Sequence, residues 1–328
     1  MEDKKNILIT GGDGLVGNAL LNFYSRKDDL HVLSPRKNQL DLTSQIDVRN
    51  FLKKNAISDI FIAAGKVGGI NANRTYPADF ININLYIVLN LITEAYKSNI
   101  QKILYFGSSC IYPKQAKQPM NEKELLSGLL EPTNEAYAIA KITGLKLCES
   151  YNNQFNTDYR SVMPTNLYGP GDNYISGNCH VIPALISRFH ESMIEERNEI
   201  EVWGTGNVYR EFLYVDDLIE ACDLVMSLSR KDYYEVVGRT NQYINIGFGS
   251  DITIKDLAYT ISEIIGYKGK IKFDTSMPDG TKRKLLDSSR IFDLGWKPKY
   301  SFEEGLRKTY KDFVNNKKLR KWWRKKLL

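Results

Sequence analysis

Residues 6–17 read NILITGGDGLVG, and this stretch decides the fold. A short apolar, β-rich run ends in glycines at 11, 14 and 17, placed where a helical pattern begins. Glycine lets the backbone turn tightly and approach a pyrophosphate, whose negative charge is favoured at a helix N-terminus. Alone, such a triplet describes only a tight turn. A strand before it, a helix after it and a second strand, LHVL at 30–33, make it a dinucleotide site. DIFIAA at 59–64 and KILYF at 102–106 follow with helix-length segments between them. That alternation predicts β-α-β units and a parallel sheet. The expected fold class is therefore α/β, a Rossmann-type doubly wound parallel sheet with a smaller α/β substrate-binding domain.

After about residue 165 the rhythm loosens. VIPALISRFHESM reads as a helix, IEVWG as a short strand, and REFLYV leads into a helix from Asp216 that Asp217 is expected to help cap. YINIG at 243–247 reads as one more strand of the main sheet. The chain thus crosses between two domains more than once. The expected division is residues 1–165 with about 215–247 for the cofactor domain, about 166–214 with 248–316 for the substrate domain, and a tail at 317–328.

With 328 residues, 42% of them hydrophobic, the chain can bury a full core. No run approaches the roughly 18 to 20 apolar residues of a membrane span, and the N-terminus has a strand where a signal peptide needs a long apolar region. A cytoplasmic protein is expected. Four cysteines, at 110, 148, 179 and 222, show no C-x-x-C spacing, so neither a disulfide framework nor a zinc site is suggested. The formal charge is +6, but seven cations lie within residues 317–328, and subtracting them leaves −1 for the rest. A near-neutral body argues against a nucleic-acid-binding surface. The tail, with Trp322 and Trp323 among its cations, has the composition of a segment able to lie on an anionic membrane; a solvated terminus is the plainer reading.

Three further features carry chemistry. After the second strand the chain reads SPRK; Arg36 and Lys37 suit the ribose 2′-phosphate of NADP, where an NAD site usually offers an acid. Tyr137 and Lys141 stand four apart in a helical segment, on one face, so the ammonium is expected to lower the phenol pKa. Ser108, just past KILYF, completes a Ser, Tyr, Lys set that polarises a carbonyl during hydride transfer. Glycine turn, serine, tyrosine and lysine in this order resemble the extended short-chain dehydrogenase/reductase superfamily. Hydride transfer, however, has no use for the thiol of Cys110, in GSSCIYP. A thiol is a workable acid or base for carbon, and His180, in GNCHVIPAL, is a candidate partner.

The segments KVGGINANRTYPADF, GSSCIYP, EPTNEAYAIAKITGLKLCESY, YRSVMPTNLYGPGDN, HVIPAL, REFLYVDD and PDGTKRKLLD resemble the GDP-L-fucose synthase family, over about residues 6–315. Its members epimerise GDP-4-keto-6-deoxy-D-mannose at C3 and C5 and reduce it at C4. The resemblance implies that Cys110 and His180 exchange the protons of C3 and C5, acidic because they lie beside the C4 ketone. Tyr137 then protonates the new alkoxide, Lys141 tunes Tyr137 and binds the nicotinamide ribose, and Ser108 bonds the oxygen. It further implies cofactor contacts at Gly11, Gly14, Leu15, Val16, Gly17, Ala64, Gly65, Asn166 and Leu167. Substrate contacts fall at Asn166, Arg188, Trp203, Arg210 and Asp279, and a homodimer pairs through helices at 79–98 and 134–153.

In the glycine loop, Asp13 stands where several members carry a cation, so the NADP preference rests on Arg36 and Lys37. The tail has no counterpart in the family. Two other readings stay open: a C4 reductase of another GDP-4-keto-6-deoxy sugar such as a heptose, and a catalytically silent NADP-binding sensor. Residues of bland expectation include Cys110 as packing and His180 as a cap or core residue.

Overall fold

The computed structural model describes residues 4–174, 179–277 and 279–316. Its first half runs β1 (Lys5–Thr10), α1 (Leu15–Tyr24), β2 (Leu30–Leu33), α2 (Gln45–Asn55), β3 (Asp59–Ile62), α3 (Ile70–Thr75), α4 (Pro77–Lys97), β4 (Lys102–Phe106), α5 (Glu135–Phe155) and β5 (Asp158–Pro164). There follow β6 (Asn166–Tyr168), α6 (Val181–Ile194), β7 (Glu199–Trp203), β8 (Tyr209–Arg210), β9 (Phe212–Tyr214), α7 (Val215–Ser227), α8 (Arg230–Val237) and β10 (Ile244–Ile246). The chain closes with β11 (Ile252–Thr253), α9 (Ile254–Ile265), β12 (Lys270–Asp274), β13 (Arg283–Lys284), α10 (Ser289–Asp293) and α11 (Phe302–Asn315). The residues of the tail, 317–328, and with them the question of membrane contact, lie outside the described residues.

Six strands form a parallel sheet in the order β2-β1-β3-β4-β5-β10. Successive side chains of a strand point to opposite faces, and here both faces are covered. Ile7 and Ile9 pack with Phe61, Leu104 and Phe106 against Leu20 of α1 and Leu218 and Val225 of α7. Leu8, Ile60, Ile62 and Ile103 pack on the other side against Val48 of α2, Val88 and Leu91 of α4 and Leu145 of α5. Apolar runs without polar alternation, such as NILIT, follow from this two-sided burial.

From β1 the chain steps to β2 on one side, then crosses to β3 on the other. The strand order therefore reverses at β1 and leaves a crevice beyond its C-terminal end, the position where doubly wound sheets bind ligands. A third apolar cluster lies elsewhere, joining Ile182, Leu185 and Phe189 of α6, Leu257 and Ile261 of α9, and Leu306 and Phe313 of α11. Around it stand three small sheets, β11-β8-β13, β12-β7 and β6-β9. Among the described residues no helix is long and apolar enough to cross a membrane.

Two features differ from the sequence expectations. Strand β5 is central to the sheet, yet its sequence DYRSVMP carries an arginine and a serine and forms no apolar run. Arg160 is nonetheless fully buried: Nε and Nη2 each reach the Asp158 carboxylate at 2.7 Å, and the guanidinium also donates to the carbonyls of Val225 and Leu228. A buried charge is tolerated when it is paired and its donors are used. Asp217, expected as a cap, does not cap α7, whose N-cap Tyr214 has no side-chain cap bond. Its buried carboxylate accepts from the amides of Lys299 and Tyr300, 3.0 and 3.3 Å away, and so ties down the chain ahead of α11.

Candidate active site

The glycine turn leaves room for a ligand because neighbouring backbone fills the space where side chains would go. Gly11 has φ +77°, in the left-handed region, and a Cβ there would lie 2.8 Å from Ala64 Cα. A Cβ on Gly17 would lie 2.0 Å from the Gly11 carbonyl oxygen. Helix α1 thus starts tight against the turn, with N-cap Gly14 in extended backbone and no side chain capping its amides. Leu15 and Val16 form its first turn, half-buried. Gly12 adjoins the end of β2, since a Cβ on it would meet Ser34 Oγ at 2.2 Å. Arg36 and Lys37, two and three residues past Ser34, are exposed beside that turn. The cradle fits a pyrophosphate, and the cations fit an added phosphate next to it.

Strand β4 delivers the second group. Ser108 Oγ accepts from the Cys110 amide at 3.4 Å and shares a hydrogen bond with the Tyr137 phenol. Tyr137 and Lys141 project from α5, and Phe80 packs edge-on against the Tyr137 ring, with centroids 6.2 Å apart. Buried Lys141 donates to Phe106 O at 2.8 Å, and its Nζ is 3.8 Å from the position a Gly65 Cβ would take. The crevice floor therefore runs from the glycine turn through Ala64 and Gly65 to Lys141.

The electrostatics differ from the expectation for Tyr137. Burial pushes its pKa up, the neighbouring Cys110 adds to this, and only the bond with Ser108 opposes it. Lys141 sits 5.8 Å from the ring centroid, turned toward Phe106 O. The phenol consequently stays protonated at neutral pH, the form from which it can donate. Burial also brings Lys141 down to about 8.

His180 is the N-cap residue of α6, but its side chain makes no cap bond, which removes the capping role. The residue is exposed overall, yet desolvation pushes the pKa of its imidazole down, favouring the neutral form. The preceding carbonyl, of Cys179, lies 3.5 Å from the position of a Gly69 Cβ, which seats this segment on the loop after β3. Among the described residues no hydrogen bond joins His180 to Cys110.

The remaining candidates cluster on the small sheets. Arg188 of α6 donates to Glu201 O of β7, two residues before Trp203, whose side chain is 64% exposed. Just beyond it, Asp279 accepts from the amide and hydroxyl of Thr205, at 3.0 and 2.7 Å. Arg210 Nη1 donates to Tyr209 O and Thr281 O, both at 2.6 Å, which fixes the guanidinium. Burial lowers its pKa, and the charges of Asp279 and Cys110 oppose that. Asn166 Nδ2 donates to Glu211 O at 2.8 Å, and Leu167 follows it in β6.

Two residues of this region have no role in the sequence reading. Lys284 Nζ stands 4.0 Å from Cys110 Sγ. Fully buried Glu211 accepts from the amides of Leu286 at 3.0 Å and Gly249 at 2.8 Å. Both lie inside the quoted motifs REFLYVDD and PDGTKRKLLD, but their partners are more than 35 residues away along the chain, so spacing carries no sign of them.

A glycine cradle at a strand-order reversal, with serine, tyrosine and lysine gathered beside it, defines a nicotinamide-nucleotide-binding α/β protein with a candidate carbonyl site. The chain belongs to the NAD dependent epimerase/dehydratase family, whose profile matches residues 7–247. It is 50% identical over 313 residues to the GDP-L-fucose synthase of Escherichia coli K12, covering 95% of this chain and 98% of that one. GDP-L-fucose synthase 1 of Arabidopsis thaliana is 47% identical over 317 residues, with coverage of 96% and 95%. The GDP-mannoheptose C4 reductase of Campylobacter jejuni, solved with NADP bound, superposes with a TM-score of 0.86 at 32% identity, over 96% of this chain and all of that one.

Proposed function

We propose that the protein is an NADPH-dependent epimerase/reductase that inverts C3 and C5 of a GDP-4-keto-6-deoxy sugar and reduces C4, giving GDP-L-fucose or a close relative. The observation that carries this reading is the place of Cys110: a thiol whose amide bonds Ser108 and whose charge acts on Tyr137. Reduction alone needs Ser108, Tyr137 and Lys141, whereas inversion beside a ketone needs a base for carbon. Cys110 takes a proton from C3 or C5, the electron pair moves onto the C4 oxygen, and His180 returns a proton on the opposite face. Ser108 and Tyr137 hold that oxygen. Bound at the glycine cradle, NADPH supplies the hydride, while Tyr137 donates the proton that completes the alcohol. Gly11, Gly14 and Gly17 make room for the pyrophosphate, and Ala64, Gly65, Asn166 and Leu167 line the approach to Lys141. Arg188 and Arg210 hold the GDP phosphates, Trp203 stacks on an exposed ring, and Asp279 reads a hydroxyl or base edge.

In this reading residues 1–165 with about 215–247 carry the cofactor, and about 166–214 with 248–316 carry the sugar nucleotide. Incubation with GDP-4-keto-6-deoxymannose and NADPH in D2O tests it. Deuterium at C3 and C5 of the product is expected. Reduction without exchange supports instead the C4-reductase reading, which the likeness to the Campylobacter jejuni reductase favours.

Cofactor choice is expected to follow charge. Exchanging both Arg36 and Lys37 for alanine should weaken NADPH about tenfold or more, and NADH by less than about twofold, because only NADPH carries the extra phosphate. Equal losses for both, in a fluorescence titration, contradict this placement. The protein also pairs as a homodimer through α4 and α5. The outer faces of these two packed helices expose Tyr86, Leu89, Ile139 and Phe155, apolar surface that a second copy covers. Sedimentation at micromolar concentration should give a dimer; a monomer overturns it.

A further inference from the structure

Lys284 lies on β13, whose parallel partner β8 places it directly beside Arg210. Side chains alternate along a strand, and the two neighbours obey this. Arg283 turns to the Asp251 carboxylate, with contacts of 2.5 and 3.0 Å, while Lys284 turns to Cys110. Its backbone is pinned from both sides. Leu285 N donates to Gln118 Oε1 at 2.9 Å, Met120 N to Leu285 O at 2.7 Å, and Leu286 N to the buried Glu211 carboxylate at 3.0 Å. The segment that carries Cys110 and the strand that carries Lys284 are therefore stitched together within ten residues of the thiol. Among the described residues no carboxylate pairs with Lys284, and Cys110 Sγ is the one hydrogen-bond partner of its ammonium. Lys282, two residues earlier, is exposed, whereas Lys284 is half-buried.

The other charged and titratable groups acting near this thiol are Arg210 and Tyr137. Arg210 is held by two backbone carbonyls and balanced by Asp279, and Tyr137 is neutral. Arg210 also acts on the charge of Cys110, but its Nη1 is held by those two carbonyls; the cation whose nitrogen reaches the sulfur is Lys284.

We propose that Lys284 is a positioning residue for carbon–hydrogen exchange: its ammonium holds Cys110 as the thiolate that takes protons from C3 and C5. The inference rests on the reading of Cys110 as the base. Thiolate, not thiol, accepts the proton: a C–H bond breaks, an S–H bond forms, and the electron pair becomes the enolate on the C4 oxygen. A cation about 4 Å from sulfur favours the charged form, and it remains charged throughout, so no proton is owed to it. Arginine keeps that charge, and methionine or glutamine removes it at similar length.

Iodoacetamide labels thiolates, and peptide mapping resolves Cys110 from the other three cysteines. In the full chain at pH 7, Lys284→Met and Lys284→Gln are expected to slow labelling of Cys110 about tenfold, and Lys284→Arg to restore most of it. Deuterium incorporation at C3 and C5 should fall by a similar factor, while reduction of a pre-epimerised ketone falls by less than about twofold. Labelling of Cys110 at the parent rate in both neutral variants overturns the proposal, as does an equal loss of exchange and reduction, which marks a substrate-binding or structural lysine. Cys110→Ser keeps the two failures apart. If that variant exchanges normally, the base assignment falls; if it is inactive in exchange while Lys284→Met labels normally, only the role of Lys284 falls.

Discussion

Tyr137→Phe should lower C4 reduction by a factor of about 100 to 10,000 while leaving the NADPH dissociation constant within about twofold. The substitution removes one oxygen. The ring still packs edge-on against Phe80, and Lys141 keeps its bond to Phe106 O, so the crevice floor survives. What disappears is the proton that burial keeps on the phenol at the place where the new alkoxide forms. A reductase without its donor depends on water, which the buried phenol excludes. Stopped-flow oxidation of NADPH with a pre-epimerised ketone measures the step directly. Turnover at the parent rate overturns the donor assignment. Absence of turnover already in the parent protein, with tight NADPH binding, supports the silent sensor.

Cys110→Ser and His180→Gln are expected to suppress deuterium incorporation at C3 and C5 by about 100-fold or more, while reduction of a ketone that needs no inversion continues. A serine hydroxyl is far less acidic than a thiol, so it cannot hold the anionic form that accepts a proton. Glutamine occupies similar space to histidine but does not exchange protons near neutrality. His180 is favoured as neutral imidazole, so it takes a proton from solvent before it returns one to carbon. NMR of the product formed in D2O reads both positions at once. If both variants exchange at the parent rate, Cys110 is a packing residue and the base for carbon is another group. Loss of exchange at only one carbon in one variant is compatible with the pair, since two inversions share it.

The main sheet was legible in NILIT, DIFIAA, KILYF and YINIG because strands buried on both faces are apolar along most of their length, while LHVL, a half-exposed edge strand, was legible from its alternation with helical segments. The glycine turn was legible because backbone contacts of 2.0 to 2.8 Å exclude a side chain at 11 and 17. Strand β5 was not, since its Arg160 is reconciled with burial by carbonyls at Val225 and Leu228, more than 60 residues away. Asp217 looked like a helix cap for the related reason that residue type and position match, while the donors it serves, Lys299 and Tyr300, come from a distant loop.

By itself the sequence determined the α/β class, the cofactor turn and the residue types of the candidate site. These follow from local rules: side-chain period, backbone freedom and short spacing. Only the tertiary structure decided the electrostatics. The phenol of Tyr137 is raised rather than lowered, because the helical spacing to Lys141 says nothing of the Phe106 carbonyl that receives the ammonium. Lys284 meets Cys110 across 174 positions of chain, because β13 lies beside β8 and Glu211 holds the amide of Leu286. Charge acts through space, and only the folded chain sets those distances.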